Sequence, residues 1–152
     1  MDDWFILVVI DTNIWISALI NPYGAPARLM QLVMDGRVRL VVSAPLLDEV
    51  HGVIQRSRIR RRIDLTDLEI DAFLAAARET ALTVRISGDF HLCRDPKDDL
   101  VVETALLGKA RYVVSRDEDL TRDLDLVRVL RDHAVEVLTV ARFLELLDAE
   151  PV

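Results

Sequence analysis

Cysteine is almost missing from this chain: one residue, Cys93, in 152. An internal disulfide is therefore excluded, and a structural zinc site, which normally takes four ligands, has little to build on. Glycine and proline number five each, and no low-complexity tract, internal repeat or long linker interrupts the chain. Long apolar runs are missing too, since none approaches the ~18 residues of a membrane span. The longest N-terminal run, Trp4 to Ile10, is short, follows Asp2 and Asp3, and ends at Asp11. A secretory signal would begin with positive charge, so a soluble, cytoplasmic protein is expected, with no membrane partner. Basic residues are in deficit, 19 against 26 acids, for a net charge of −7. That balance argues against a protein that coats nucleic acid through bulk attraction. Of the 19 bases only Lys97 and Lys109 are lysines, from which no function is drawn.

Hydrophobic residues make up 51% of the chain, and the mean hydropathy is +0.23, which argues against disorder. The length fits one domain, residues 1–152. Such a chain can bury about two thirds of its unfolded surface. Four apolar runs rich in β-branched residues, 5–10, 38–43, 112–115 and 135–139, read as strands, with 82–86 a weaker fifth. Several are continuously apolar, as in strands buried on both faces of a parallel sheet. Helical patterns lie between them: 26–35, ending at Gly36; 46–54; a segment opened by the capping box Thr66, Asp67, Leu68, Glu69; 100–107, stopping at Gly108; and 140–147, after Thr139. Strands alternating with helices predict an α/β fold with a mainly parallel sheet of about five strands.

In open α/β sheets ligands bind beyond the carboxyl ends of the strands, so the residues after each apolar run matter most. The first run ends in Asp11, Thr12, Asn13, and the run at 112–115 delivers Arg116, Asp117, Glu118, Asp119. The loop 95–99 sets acids at a helix N-terminus, where the dipole favours negative charge. Glu49 follows the second strand on a helix. Carboxylates held together repel one another unless a cation neutralises them. Oxygen ligands suit Mg²⁺ or Mn²⁺. An ion so held activates water and stabilises charge on a phosphate, the chemistry of metal-assisted phosphodiester hydrolysis. Thr12, Asn13 and Ser115 would orient the carboxylates or the scissile phosphate. The plainer alternative makes these acids helix caps and solvated charges; Asp11, directly behind a buried strand, is hardest to explain that way.

The stretches VVIDTNIWISALI (8–20), SAPLLDEV (43–50), DPKDDLVVETALLGKARYVVSRDEDL (95–120) and FLELL (143–147) together resemble the PIN-domain family, near the VapC-like toxins of toxin–antitoxin pairs. The resemblance spans nearly the whole chain in order. It implies a three-layer α/β/α fold and an Mg²⁺- or Mn²⁺-dependent endoribonuclease, the toxin of a type II pair. Its partners would be an RNA substrate, an antitoxin protein and a second copy in a homodimer. Asp11, Glu49, Asp98 and Asp117 match the family's acids, and Asn13 and Ser115 match polar positions that line its site. Asp99 is a possible substitute for Asp98, and Glu103 could also approach the ion.

Other signals have two readings. Arg56, Arg58, Arg60, Arg61 and Arg62 are either a solvated helix end pairing with Asp64 and Asp67, or a contact for RNA phosphates or an acidic antitoxin. Trp4 and Trp15 fit core or dimer packing better than base stacking. A haloacid-dehalogenase-type phosphatase also starts from an acid after strand one, but it wants a second acid where Asn13 stands, and Lys97 and Lys109 fit its lysine poorly. A receiver domain fails for like reasons. From another class, a catalytically silent RNA-binding or protein-interaction module remains open. The charge itself is unevenly placed: residues 95–125 hold nine acids against five bases, while 56–62 hold five arginines and no acid.

Overall fold

The computed structural model describes residues 6–91, 93, 96–116, 120 and 122–149. Their order is β1 (Ile6–Ile10), α1 (Thr12–Ile20), α2 (Ala25–Met34), β2 (Val38–Ser43), α3 (Ala44–Ile54), α4 (Ser57–Arg60), α5 (Asp67–Thr80), β3 (Leu82–Val84), α6 (Pro96–Leu107), β4 (Tyr112–Val114), α7 (Leu124–Asp132), β5 (Glu136–Leu138) and α8 (Val140–Ala149). The five strands form one sheet in the order β3-β2-β1-β4-β5, and every neighbouring pair is parallel. The expectation of a mainly parallel sheet is met by a wholly parallel one.

Period-two side-chain alternation explains why the strands read as continuous apolar runs. Val8 and Ile10, Leu40 and Val42, and Tyr112 and Val114 pack into one core with residues of α1, α2, α3, α5 and α8. Val9, Val41 and Val113, the residues between them, pack into a second core with α6 and α7. Both faces are covered, so the architecture is three-layered α/β/α. Trp15 belongs to the first core. It is fully buried, its ring meets Phe73 edge-on at 6.2 Å, and its Nε1 donates to Ile10 O at 2.9 Å. Burying side chains of this size stabilises by about 1.5–3 kcal/mol each.

Several boundaries follow the expected punctuation. Thr66 and Glu69 form the capping box of α5. Thr139 Oγ1 accepts from Arg142 N at the start of α8. Gly36 ends α2 in the left-handed region, at φ +79°. One expectation needs correction. The acids of 95–99 read as a loop in the sequence, but α6 starts at Pro96, so Asp98 and Asp99 occupy its first turn; proline suits a helix start because its missing N–H has no partner there anyway. Helix α6 does stop at Gly108 as expected, but the left-handed turn falls one residue later, at Lys109 with φ +53°. Gly108 is required for space, because a Cβ there would overlap Val41 Cγ1 on β2.

Candidate active site

The chain builds β1, β2 and β3 outward in one direction, then β4 and β5 in the other, so the order reverses between β1 and β4. That switch point opens a crevice at the carboxyl ends of the two strands. Asp11 follows β1 and Ser115 follows β4, and the backbone bond from Asp11 N to Val114 O at 3.0 Å joins the two strand ends, while Ser115 N donates to Leu138 O of β5 at 3.0 Å.

Asp11 is 7% exposed and caps α1, with Oδ1 accepting from Thr12 N at 2.8 Å. Its Oδ2 accepts from the fully buried Ser115 hydroxyl at 2.7 Å. Burying a carboxylate is unfavourable unless such donors compensate it. Thr12, also buried, turns its hydroxyl the other way and donates to Glu49 Oε2 at 2.9 Å. Glu49 sits on the second turn of α3, half-buried. One threonine therefore binds the acid of the first strand through its backbone and the acid of α3 through its side chain. Asn13 stands beside them on the first turn of α1 and is exposed.

Asp98 and Asp99 are both buried in the first turn of α6. Asp99 Oδ1 accepts from Cys93 N at 2.8 Å, and its Oδ2 lies 4.0 Å from His91 Nδ1, so this carboxylate secures the loop before the helix. Glu103 secures the same loop further back. Its Oε2 accepts from Ser87 N and Oγ at 2.9 and 2.8 Å, and its Oε1 from Gly88 N at 3.1 Å. Burial opposes the Glu103 charge, but these bonds and one from the Phe90 backbone outweigh it and hold the carboxyl below its ordinary range. The Cys93 thiol is pushed well up, by burial first and then by Asp99 and the other nearby carboxylates. Such a thiol is inert.

Two residues outside the expected set align the helices that carry the acids. Ser43, the N-cap of α3, lies 2.8 Å from Thr104 on α6, both fully buried. Thr104 gives its proton to Leu100 O at 2.6 Å, so the Ser43 hydroxyl is the donor to Thr104. Serine before Ala44 and Pro45 already signals a cap; the partner across 61 positions carries no such signal.

Asp117 lies outside the described residues. Among the described residues, no three His, Cys, Asp or Glu side chains are grouped closely enough to enclose a metal ion. The two acids linked at the crevice, Asp11 and Glu49, and Asp98 on the first turn of α6 offer oxygen alone, the donor set of a hard cation. Lys109 stands before β4, at the opposite sheet edge from Asp11, where a phosphatase lysine could not serve. Two cavities among the described residues, of about 420 and 310 Å³, lie by α7 and β5 and between α1, α2 and α5, and none of Asp11, Glu49 and Asp98 lines either. The expected arginine group is divided as well. Arg60 donates to Asp67 Oδ1, Ile63 O and Leu65 O at 2.8–3.1 Å, pinning the turn into α5, whereas Arg56, Arg58, Arg61 and Arg62 are exposed.

A family model described as PIN domain matches residues 7–119. The uncharacterized protein MJ1680 of Methanocaldococcus jannaschii is 29% identical over 142 residues, spanning 92% of this chain and 90% of its own. Among solved structures, the fold is similar to a chain in the crystal structure of VapBC2 from Rickettsia felis bound to a DNA fragment from their promoter. The TM-score is 0.53 at 17% identity, over 86% of this chain and 98% of that one.

Proposed function

The chain belongs to the PIN-domain family, and we propose that it is an endoribonuclease that works with Mg²⁺ or Mn²⁺ held by Asp11, Glu49, Asp98 and Asp117. PIN domains are generally nucleases and typically use divalent metal ions. The observation that carries the reading is the hydroxyl-held pair at the switch point, Asp11 under Ser115 and Glu49 under Thr12. Fixed carboxylates with oxygen donors alone are what a hard cation selects.

When bound, the ion supplies Lewis acidity that eases deprotonation of water and offsets charge gathering on the phosphate. The protein's own part is to hold the acids ready. Ser115 and the Thr12 amide keep both oxygens of Asp11 in place, so that rotamer is not free to turn away. The Thr12 hydroxyl holds Glu49 Oε2 and so fixes how that carboxylate meets the crevice. Asp98 enters from the first turn of α6, where the helix dipole favours its charge. Asn13, exposed beside the acids, positions the scissile phosphate by hydrogen bonding. Asp99 and Glu103 serve the loop, which makes Asp98 the principal ligand of α6.

The biological role that follows is the toxin of a type II pair: a cytoplasmic homodimer restrained by an antitoxin protein. The fold shared with a VapBC2 chain supports this. The test is cleavage of RNA by purified protein with Mg²⁺ or Mn²⁺, against EDTA and against Asp11→Asn. Cleavage that needs the ion and Asp11 supports the reading; cleavage that survives both removals overturns it. Absence of cleavage in either metal would favour the silent interaction module.

A further inference from the structure

The acid site makes no use of the strongest positive charge in the molecule. Arg56, Arg58, Arg61 and Arg62 cluster where α3 passes into α4, and all four are exposed. Among the described residues none of them forms an ion pair. Of the two carboxylates expected to neutralise them, Asp67 is taken by Arg60, and Asp64 forms no ion pair among the described residues. Arg60 also ties the chain to Ile63 O and Leu65 O, and Arg61 Nε donates to Ser57 O at 3.2 Å. The short helix is therefore a rigid platform with its remaining guanidinium groups in water.

We propose that Arg56, Arg58, Arg61 and Arg62 form a track for the phosphates of single-stranded RNA, so that the substrate is held along α3 at some distance from the point of cleavage. This rests on the ribonuclease reading of the acid site and specifies where its substrate lies. Arg56 follows Glu49 by seven residues and lies just past the end of α3 at Ile54, which puts it about 10 Å on along the helix axis. A strand whose scissile phosphate meets the acids would place a neighbouring stretch of backbone at these arginines. Guanidinium groups match phosphate oxygens in bidentate fashion. In a chain of net charge −7, a local +4 lane also decides from which side a polyanion approaches. Along this segment an acidic protein would find charge without an apolar anchor. Protein interfaces are anchored by buried aromatic and apolar side chains, and from Gln55 to Arg62 the apolar residue, Ile59, packs into the core.

The test compares wild-type protein with a variant carrying Arg56→Gln, Arg58→Gln, Arg61→Gln and Arg62→Gln, leaving Arg60 intact. Binding of fluorescent single-stranded RNA of about 20 nucleotides is measured over a range of salt, with EDTA present to prevent cleavage. Each phosphate left without its arginine should flatten the log–log salt dependence by about 0.7. The expected variant binds at least about tenfold more weakly at low salt, with a slope shallower by about 2–3. The corresponding four lysine substitutions should restore the slope, since lysine neutralises phosphate as a point charge, and this separates loss of charge from loss of folding. Unchanged affinity and slope in the glutamine variant would overturn the proposal. If that variant instead lost affinity for an acidic protein partner while holding RNA normally, the patch would belong to that partner and the proposal would fall. Cleavage by wild type with Mg²⁺ is scored separately, so the track can fail while the nuclease reading stands.

Discussion

The Ser115 hydroxyl donates to Asp11 Oδ2 at 2.7 Å, joining the ends of two neighbouring strands across 104 positions of sequence. The bond fixes the carboxylate that the site is built around, at the one place where the sheet order reverses. Replacing Ser115 by alanine leaves a buried carboxylate oxygen short of a donor. The expected result is a 10–100-fold loss in metal affinity or activity, the usual range for a residue that orients a ligand. Calorimetric titration with Mn²⁺ and RNA cleavage rates measure the two effects.

Thr12 offers a cleaner separation of shape from hydrogen bonding. Thr12→Val keeps the volume and the amide bond to Asp11 but removes the donor to Glu49 Oε2. Metal affinity should drop about tenfold or more, and Thr12→Ser should recover most of it. Equal losses in both variants would show that packing, not the hydroxyl, matters here.

The two adjacent acids of α6 should behave differently. Asp98→Asn is expected to abolish metal-dependent cleavage with little change in thermal stability. Asp99→Asn weakens the bond from Cys93 N and should lower stability by about 1 kcal/mol while leaving most of the activity. Paired melting and activity measurements on the two variants decide it; the opposite pattern would exchange their roles.

Glu103 makes stability depend on pH in the acid range. Its folded-state pKa is lowered by the Ser87, Gly88 and Phe90 donors despite burial, whereas in the unfolded chain it returns to about 4.3. Between those values the unfolded state binds the extra proton. The stabilisation is therefore complete above the unfolded value and disappears as pH falls through the folded one. Urea denaturation across this range should show a steeper acid decline for wild type than for Glu103→Gln, which begins less stable at neutral pH.

Close packing at the end of α6 yields a further expectation. Gly108→Ala forces a methyl group against Val41 Cγ1 and should cost about 1–3 kcal/mol. Lys109→Gly, at the left-handed position beside it, should stabilise by up to about 1 kcal/mol. Thermal melts of the two variants should therefore shift in opposite directions.

How much of the fold and site is legible in the chain depends on range. The strands are readable because residues such as Val41, Val42 and Val113 are apolar on both sheet faces, and the acids because they directly follow those runs. Helix α1 is not. Six of its nine residues, including Ile14, Trp15 and Ile16, are buried, so no polar face interrupts the run to reveal a helical period. Helix α7 is also absent from the expected helices although its signal is local: Asp123 accepts from Asp125 N and Leu126 N, and Leu126 and Leu130 make the buried stripe. The bonds of Ser43 to Thr104 and of Glu103 to Ser87 lie beyond reach, since each depends on how a helix and a distant segment pack. Arg60 shows the same limit, because nothing in a run of arginines marks the one that folds back onto Asp67.

The most direct test of the site is the binding of Mn²⁺ itself, followed by electron paramagnetic resonance as bound ion leaves the free signal. Wild type and Asp99→Asn should bind Mn²⁺ saturably, and Asp11→Asn and Asp98→Asn should lose that binding by about 100-fold or more. Equal binding by Asp11→Asn and wild type would contradict the claim that these acids hold the catalytic ion.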